Sequence, residues 1–243
     1  MHEQGATEFL ANLSVGSIVL AAFVLTIVRL LLVPSQAAIA RSAAELVESF
    51  IIAGVLVFLI IRPFFVQAFF IPSESMEPTL MGHTKGLSMS GEVHQETIHD
   101  HIFVNKLAYR IGEPKRGDII VFRAEKRADS AGGFQTENVL IKRLIAVPGD
   151  RIAVLPNPDS TLSVWLNGEK LNEPYIKEPM YAKEGGNFGV GKEITLKPGE
   201  LYVMGDNRNN SNDSRFWGTL PRNRVIGKAF LRFWPLNRVG LVK

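Results

Sequence analysis

The sequence predicts a mainly β domain preceded by two transmembrane α-helices. Two long apolar runs lie before residue 72, and short β-rich runs separated by Gly, Pro, Asn and Asp turns fill most of the remaining chain. The 46% hydrophobic content of the 243 residues is ordinary for a globular protein, but the excess is concentrated before residue 72. The pattern therefore indicates a membrane anchor followed by an all-β region.

The first apolar run, Phe9–Val33, predicts a membrane-spanning helix. It carries a single charge, Arg29, and is long enough to cross about 30 Å of hydrocarbon at about 1.5 Å per residue. A cleaved secretory signal is the alternative, because residues 38–40 have the A-x-A form of a cleavage site. The run is much longer than the roughly 7–15 apolar residues of a signal, and acidic residues precede it. We therefore expect a retained anchor.

The second apolar run, Phe50–Ile71, predicts the second span and an interfacial exit within residues 48–71. Its last third is aromatic, which is typical of the headgroup level of a bilayer. Arg29 and Arg41 occupy or border the connection at residues 34–47, whereas residues 1–8 contain no Lys or Arg. The positive-inside rule then predicts a cytoplasmic connection, with residues 1–8 and 72–243 outside.

Composition excludes several classes of function. The net charge of +3 is dispersed along the chain, so a nucleic-acid surface is not indicated. The absence of cysteine excludes disulfides, thiolate nucleophiles and Cys-type zinc sites. Four of the five histidines lie close together at positions 83, 94, 99 and 101, in a spacing that matches no standard zinc pattern. We interpret residues 83–99 as a solvated loop, expect no metal or cofactor, and interpret residues 172–191 as a second loop or hairpin.

A lysine and a serine, the residue types of a general base and a nucleophile, lie in sequence contexts that bear on their roles. Lys142 lies within NVLIKRLIAV, a run typical of a buried strand, where desolvation would lower the pKa of its amine and make it a general base. The alternative is an exposed lysine on an edge strand. Ser75, directly after the second apolar run, is either a nucleophile or a turn residue. The local patterns alone leave both alternatives open.

Five ordered sequence blocks carry a resemblance that narrows these alternatives. Together with the two apolar runs, they resemble the type I signal peptidases, the bacterial leader peptidases that use a Ser/Lys dyad. The resemblance implies a signal-peptidase-like β-fold with coiled sheets, on the outer side of the bacterial inner membrane. The blocks are PSESMEPTL at Pro72–Leu80, DHIFVNKLAY at Asp100–Tyr109, KRGDIIVF at Lys115–Phe122, IKRLIAVPGD at Ile141–Asp150 and GDNRNNSNDSRFWG at Gly205–Gly218.

The resemblance also implies roles for individual residues. Ser75 matches the nucleophile, Lys142 matches the general base, and the hydroxyl of Ser73 with the backbone N–H of Ser75 matches the oxyanion hole. The family's supporting residues match a serine that hydrogen-bonds the lysine and two Asp–Arg pairs. These are Ser211, Asp206 with Arg143, and Asp213 with Arg215.

Substrate preference is implied in the same way. Members of the family bind secretory preproteins as extended strands and accept small side chains at positions −1 and −3 before the cut. The lipid bilayer is a further expected partner, and the export translocon an expected neighbour. The positions that match the binding pockets are Phe69, Ile71, Pro72, Met76, Leu80, Val121, Leu140 and Ile141.

Two departures from the family pattern and two alternative functions accompany this interpretation. Asn209 stands where the family commonly has Asp, and the 83–99 segment is longer than expected.

Glu74 and Glu77 are interpreted as solvated bystanders beside the nucleophile. The alternatives are a related Ser/Lys protease with another specialised substrate and an inactive, membrane-anchored binding module.

Overall fold

The computed structural model describes residues 15–34, 37–88, 91–124, 139–183, 185 and 188–243. The chain divides into two compact units, a helical unit up to Ala68 and a larger unit from Phe69 to Lys243. In the described residues the second unit is built mainly from β-strands. The prediction of a mainly β domain is confirmed.

The helical unit contains two long helices. Helix α1 spans Val15–Leu32; α2 spans Ala38–Val55 and continues through a π-helical stretch, Leu56–Ile61, into the short α3, Arg62–Phe64. The second helix therefore begins before the predicted span, inside the predicted connection.

Only one of these helices has the length and composition of a membrane span. Within the described residues, the stretch Ala38–Ile61 is long and apolar enough to cross a membrane, whereas Gly16–Leu32 is a shorter apolar helix. Residues 9–14 of the predicted first span lie outside the described part of the chain. Two membrane spans therefore stay a prediction.

An eight-stranded curled sheet includes Lys142, and its first strand, Val66–Phe70, crosses the boundary between the two units. Its order is β1-β6-β15-β7-β8-β13-β14, with β16 paired to β15, and the pairs from β6 to β14 are antiparallel. The strands are β1 Val66–Phe70, β6 His101–Asn105, β7 Ile119–Arg123, β8 Val139–Ala146, β13 Glu200–Met204, β14 Leu220–Pro221, β15 Val225–Trp234 and β16 Gly240–Leu241.

A second, four-stranded antiparallel sheet has the order β11-β10-β9-β12. Its strands are β9 Arg151–Pro156, β10 Leu162–Leu166, β11 Glu169–Lys170 and β12 Ile194–Thr195. The described residues of 172–191 join this sheet only through isolated bridges from Met180 and Val190, as expected for a loop excursion. Two short helices complete the unit, α4 Ala108–Ile111 and α5 Ser214–Trp217.

The inserted segment is more ordered than a solvated loop. It forms two short ribbons, β2 Gly82–His83 with β5 Ile98–His99, and β3 Gly86–Leu87 with β4 Val93–His94. The rings of His83 and His94 stack 3.8 Å apart, and the side chains of both are buried. The loop interpretation is therefore wrong for these two histidines, because tertiary contacts outweigh the polar composition of the segment.

The core explains where the nucleophile-bearing turn lies. The aliphatic runs of β7 and β8 are covered on both faces, as expected for central strands with continuous apolar sequence. Met76 and Leu80, on either side of the turn that follows Ser75, are fully buried in one of the core clusters. The other buried members of that cluster are Ile71, Ile102, Val104, Ile119, Val121 and Ala229.

The tight approach of β15 to β6 generates a stability prediction. A Cβ at Gly227 would lie 2.5 Å from the backbone oxygen of Asn105 and 2.8 Å from Val104 Cγ1, and backbone cannot yield cheaply. We expect Gly227→Ala to lower the free energy of unfolding by about 1–3 kcal/mol. Chemical denaturation of the full chain in detergent, followed by tryptophan fluorescence, measures the change.

Gly240→Ala is the matched control for this substitution. Gly240 also lies in a strand of the same sheet, but a Cβ there would meet no atom within 4 Å. Its unfolding free energy should stay within about 0.5 kcal/mol of wild type. Equal denaturation midpoints for the two variants would contradict the account of the β15–β6 contact.

Candidate active site

Ser75 and Lys142 meet in the interior of the β unit. Lys142 Nζ donates a hydrogen bond of 2.7 Å to Ser75 Oγ and one of 2.9 Å to the backbone oxygen of Ile141. Ser75 is 8% exposed and Lys142 is 4% exposed. The alternative of an exposed lysine on an edge strand is therefore wrong, because β8 lies between β7 and β13 and is covered by core residues.

Ser75 lies in a tight turn whose backbone packs closely against the loop after β13. Residues 74–76 form one turn of 3₁₀-helix, and Ser75 O accepts a 3.2 Å hydrogen bond from the backbone N–H of Asn207. A Cβ at Gly205 would lie 2.4 Å from both Ser75 O and Ser211 Oγ. Only glycine therefore lets the loop after β13 approach the serine-bearing turn this closely.

Burial sets the protonation chemistry of the lysine. Desolvation is the largest influence and lowers the pKa of Lys142 to about 8, against weaker opposing effects of Asp213 and Asp206. Near pH 8 a large fraction of the amine is neutral and has a lone pair to accept a proton. The arrangement has the chemistry of a nucleophile paired with a general base.

Two arginines form ion pairs with Asp206 and Asp213, the carboxylates whose negative charge favours the protonated form of Lys142. Arg143 binds Asp206 through two hydrogen bonds of 2.8 and 2.7 Å, and its guanidinium also lies 4.0 Å from the ring centroid of Tyr175. Arg215 binds Asp213 through two hydrogen bonds of 2.8 Å each. Burial alone would raise the pKa of Asp213, but the hydrogen bonds and charge of Arg215, together with the backbone N–H of Gly205, hold this pKa below its usual value.

The structure does not give Ser211 the predicted hydrogen bond to the lysine. Ser211 Oγ is buried and has no partner in hydrogen-bonding geometry within the described residues, although it lies close enough to Asp213 to lower the pKa of that carboxyl. Lys142 Nζ is instead oriented by Ser75 Oγ and by Ile141 O. Ser211 Oγ lies instead beside Gly205, where a Cβ would come within 2.4 Å of it.

A cleft of about 680 Å³ opens beside the dyad. Ser73, whose hydroxyl oxygen is 3.3 Å from Ser75 Oγ, lines it together with Ser75 and Lys142. The apolar part of its lining includes Pro72, Phe122, Leu140, Trp217 and Leu220. The cleft can therefore bring an apolar ligand segment to a buried nucleophile.

The predicted substrate-binding residues divide between this cleft and the core. Pro72 and Leu140 line the cleft. The remaining six lie in or against a core cluster and not on the cleft surface, because they anchor the turn and the neighbouring strands. They are Phe69, Ile71, Met76, Leu80, Val121 and Ile141.

Glu74 and Glu77 are not the solvated bystanders that we expected. Glu77 is buried, where its carboxylate contacts His83 Nδ1 at 2.6 Å and Lys177 Nζ at 3.1 Å. Glu74 accepts a 2.7 Å hydrogen bond from Asn210 Nδ2. Their partners are between 6 and 136 positions away in the sequence, so local polarity suggested exposure incorrectly.

Sequence reasoning also missed a fully buried arginine. Arg208 binds Glu173 through hydrogen bonds of 2.8 and 2.5 Å and donates a 3.0 Å bond to Gly205 O. The available signal was its position inside the GDNRNNSNDSRFWG block. A buried arginine needs an ion-pair partner, and Glu173 lies far away in the sequence. This pair ties the 172–191 excursion to the loop behind the serine.

Asn209 has a structural explanation. Its amide Nδ2 donates 2.9 Å hydrogen bonds to Glu178 Oε1 and Pro179 O, and its Oδ1 accepts one of 3.0 Å from Tyr181 N. An aspartate has no donor for the two bonds of Nδ2 and would repel Glu178. The departure from the family pattern therefore suits the neighbouring loop of this chain.

Comparison with known proteins agrees with this geometry. Residues 43–234 match the family described as signal peptidase, peptidase S26. Signal peptidase I of Leptolyngbya laminosa is 36% identical over 211 residues, which cover 85% of this chain and 90% of the relative. Signal peptidase I of Mycobacterium tuberculosis is 35% identical over 232 residues, covering 79% and 73% respectively.

One solved structure of the same name is also similar. A crystal structure of a signal peptidase I from Enterococcus faecalis V583 is 26% identical with a TM-score of 0.32, covering 48% of this chain and 97% of that one. The family match spans most of the chain, and the relatives are matched over at least 73% of their own length. The chain therefore belongs to the signal peptidase I family, peptidase S26.

Proposed function

We propose that this protein is a membrane-bound serine endopeptidase that removes signal peptides from exported preproteins after A-x-A-type sites. The observation that carries the proposal is the buried 2.7 Å contact between Ser75 Oγ and Lys142 Nζ at the edge of an open cleft. The names of the relatives support the substrate class. The residue roles below are part of the proposal.

Acylation begins with proton transfer inside the dyad. Neutral Lys142 accepts the proton of Ser75 Oγ as this oxygen attacks the carbonyl carbon of the scissile peptide. The C–N bond then breaks, and the lysine ammonium gives its proton to the leaving amine. The pKa of about 8 suits both steps, because the same amine must first accept and then donate a proton.

Deacylation reuses the lysine on a water molecule. Lys142 takes a proton from water, the resulting hydroxide attacks the ester carbonyl, and Ser75 leaves with the proton returned to its oxygen. Each tetrahedral intermediate places negative charge on the former carbonyl oxygen. The Ser73 hydroxyl and the backbone N–H of Ser75 are the proposed donors to this oxyanion.

The apolar lining residues of the cleft give a physical basis for substrate choice. Pro72 and Leu140, which shortly precede Ser75 and Lys142 in the sequence, line the surface that would receive the residues before the cut. An apolar surface rejects charged side chains by desolvation, and a shallow pocket rejects large ones by clash. Small residues before the cut are therefore expected.

The helical unit is proposed to be a two-span anchor with an outward-facing peptidase unit. Both helices expose large apolar side chains, such as Leu20, Phe23, Leu46 and Phe50, as lipid-facing helices do. Arg29 and Glu48 form a 2.7 Å ion pair, which connects α1 with α2. The proposed orientation has a cytoplasmic connection, as the positive-inside rule predicts, and would present signal peptides at the outer surface near the translocon.

Cleavage by dyad variants tests the proposed function. Purified full chain in detergent should cut a preprotein with an A-x-A site, and mass spectrometry should locate the cut after the second alanine. Ser75→Ala removes the nucleophile and Lys142→Met removes the base with little change of volume. We expect each to lower kcat/KM on the order of 10⁴-fold or more.

Lys170→Ala is the matched control, because Lys170 is an exposed lysine at the end of the four-stranded sheet. Its cleavage rate should equal that of wild type. Undiminished cleavage by Ser75→Ala or Lys142→Met would refute the dyad. Absence of cleavage by wild type across preproteins of this type would refute the substrate class.

Substitution of Ser73 tests the proposed oxyanion donor. Ser73→Ala removes one hydroxyl and should lower kcat by about 10²–10³-fold with little change in KM, because the oxyanion exists only after attack. Ser73→Thr retains a hydroxyl and should keep most of the rate. Steady-state kinetics with equal kcat for the alanine and threonine variants would contradict the role.

A further inference from the structure

Beside the dyad, the inserted ribbons and the serine-bearing turn bring together side chains that the peptidase mechanism does not use. Glu77 follows the turn, His83 lies in β2 and His94 lies in β4. The candidate ligand atoms of these three residues all lie within 4.8 Å of one another. We refer to Glu77, His83 and His94 as the Glu-His cluster.

We propose that the Glu-His cluster binds one zinc ion. The bound ion would join the inserted ribbons to the turn that carries Ser75. Two imidazoles and a carboxylate form a ligand set that suits zinc. Calcium and magnesium prefer oxygen ligands, so two histidines disfavour them. The inference goes beyond the proposed peptidase function and does not depend on it.

An unpartnered buried nitrogen is the second observation. The His94 side chain is 8% exposed, and its Nε2 makes no hydrogen bond in the described residues. That nitrogen lies 3.2 Å from Glu74 Oε1, outside hydrogen-bonding geometry. Buried polar atoms normally have a partner, and a cation next to this nitrogen would supply one.

The local charge also favours a cation. Glu74, Glu77 and Glu92 bring three carboxylates to this region, and Lys177 is the basic side chain whose ion pairs with Glu77, at 3.1 Å, and Glu92, at 2.5 Å, are found in the described residues. A bound dication would balance the excess of negative charge.

To hold zinc, one imidazole of the cluster must rotate, because the rings of His83 and His94 stack 3.8 Å apart at an interplanar angle of 5° and one ion cannot lie in both ring planes. Bonds of about 2.0–2.2 Å in tetrahedral coordination place ligand atoms roughly 3.4 Å apart. Glu77 Oε1 is now 2.6 Å from His83 Nδ1, while its other oxygen contacts Lys177, so the carboxylate would bind through one oxygen. Glu74 Oε1 lies 3.2 Å from His94 Nε2, so a second carboxylate is close to this histidine.

Direct binding measurements test the site. The full chain, prepared without a histidine tag, is stripped with chelator in detergent and titrated with zinc chloride by calorimetry. We expect one zinc ion per chain for wild type. His94→Gln, which disturbs no hydrogen bond of Nε2, should weaken binding by at least about tenfold, as should His83→Gln.

His101→Gln is the matched control, because His101 lies in β6 outside the Glu-His cluster. It should bind zinc as wild type does. Thermal unfolding adds a second readout: zinc should raise the unfolding temperature of wild type and His101→Gln but not that of His94→Gln. Unfolding of the metal-free variants establishes that each one is folded.

Two results would overturn the proposal. One is the absence of saturable one-to-one zinc binding by folded wild type, which would leave a Glu–His–Lys hydrogen-bond network. The other is equal zinc affinity in His94→Gln, His101→Gln and wild type, which would place the ion elsewhere. Neither readout involves peptide cleavage, so failure here is distinct from failure of the proposed function.

Discussion

Burial of one lysine amine against one serine hydroxyl is the constraint on which the arrangement of this site depends. A charged ammonium in the interior is costly, so desolvation lowers the pKa of Lys142 to about 8. Two carboxylates nearby would reverse this effect if they were unpaired. Arg143 binds Asp206 and Arg215 binds Asp213, each through two hydrogen bonds, and the pKa of the amine stays lowered.

The same groups that tune the base also position the nucleophile. Asp206 accepts hydrogen bonds from Arg143, next to the lysine in β8, and from Thr79 Oγ1 at 2.6 Å, in the segment after Ser75. One carboxylate therefore links the strand of the base to the segment of the nucleophile. Buried Met76 and the Gly205 contact fix the turn from its other sides. A distance of 2.7 Å between two flexible side chains is maintained in this way.

The sequence predicted the features that depend on residues close together in the chain or within one recognised motif. The aliphatic run around Lys142 indicated a buried central strand, and the ordered blocks identified the two Asp–Arg pairs. It did not predict the partners of Glu77 or Arg208, because Lys177 and Glu173 reach them from a distant excursion. Local polarity suggested exposure for His83, whose burial depends on the tertiary contact between ribbon and turn. The structure lacks the hydrogen bond from Ser211 to the lysine that the resemblance implied, because a family resemblance carries a role but not a distance.

Direct titration of Lys142 tests the central claim that burial makes this lysine a base. The protein is labelled with ¹⁵N-lysine in detergent, and the Lys142 signal is assigned from its absence in Lys142→Met. The account predicts that the amine titrates with a pKa of about 8. A midpoint near the ordinary value of 10.5 would contradict it, because the lysine would then be charged throughout the pH range of the proposed reaction.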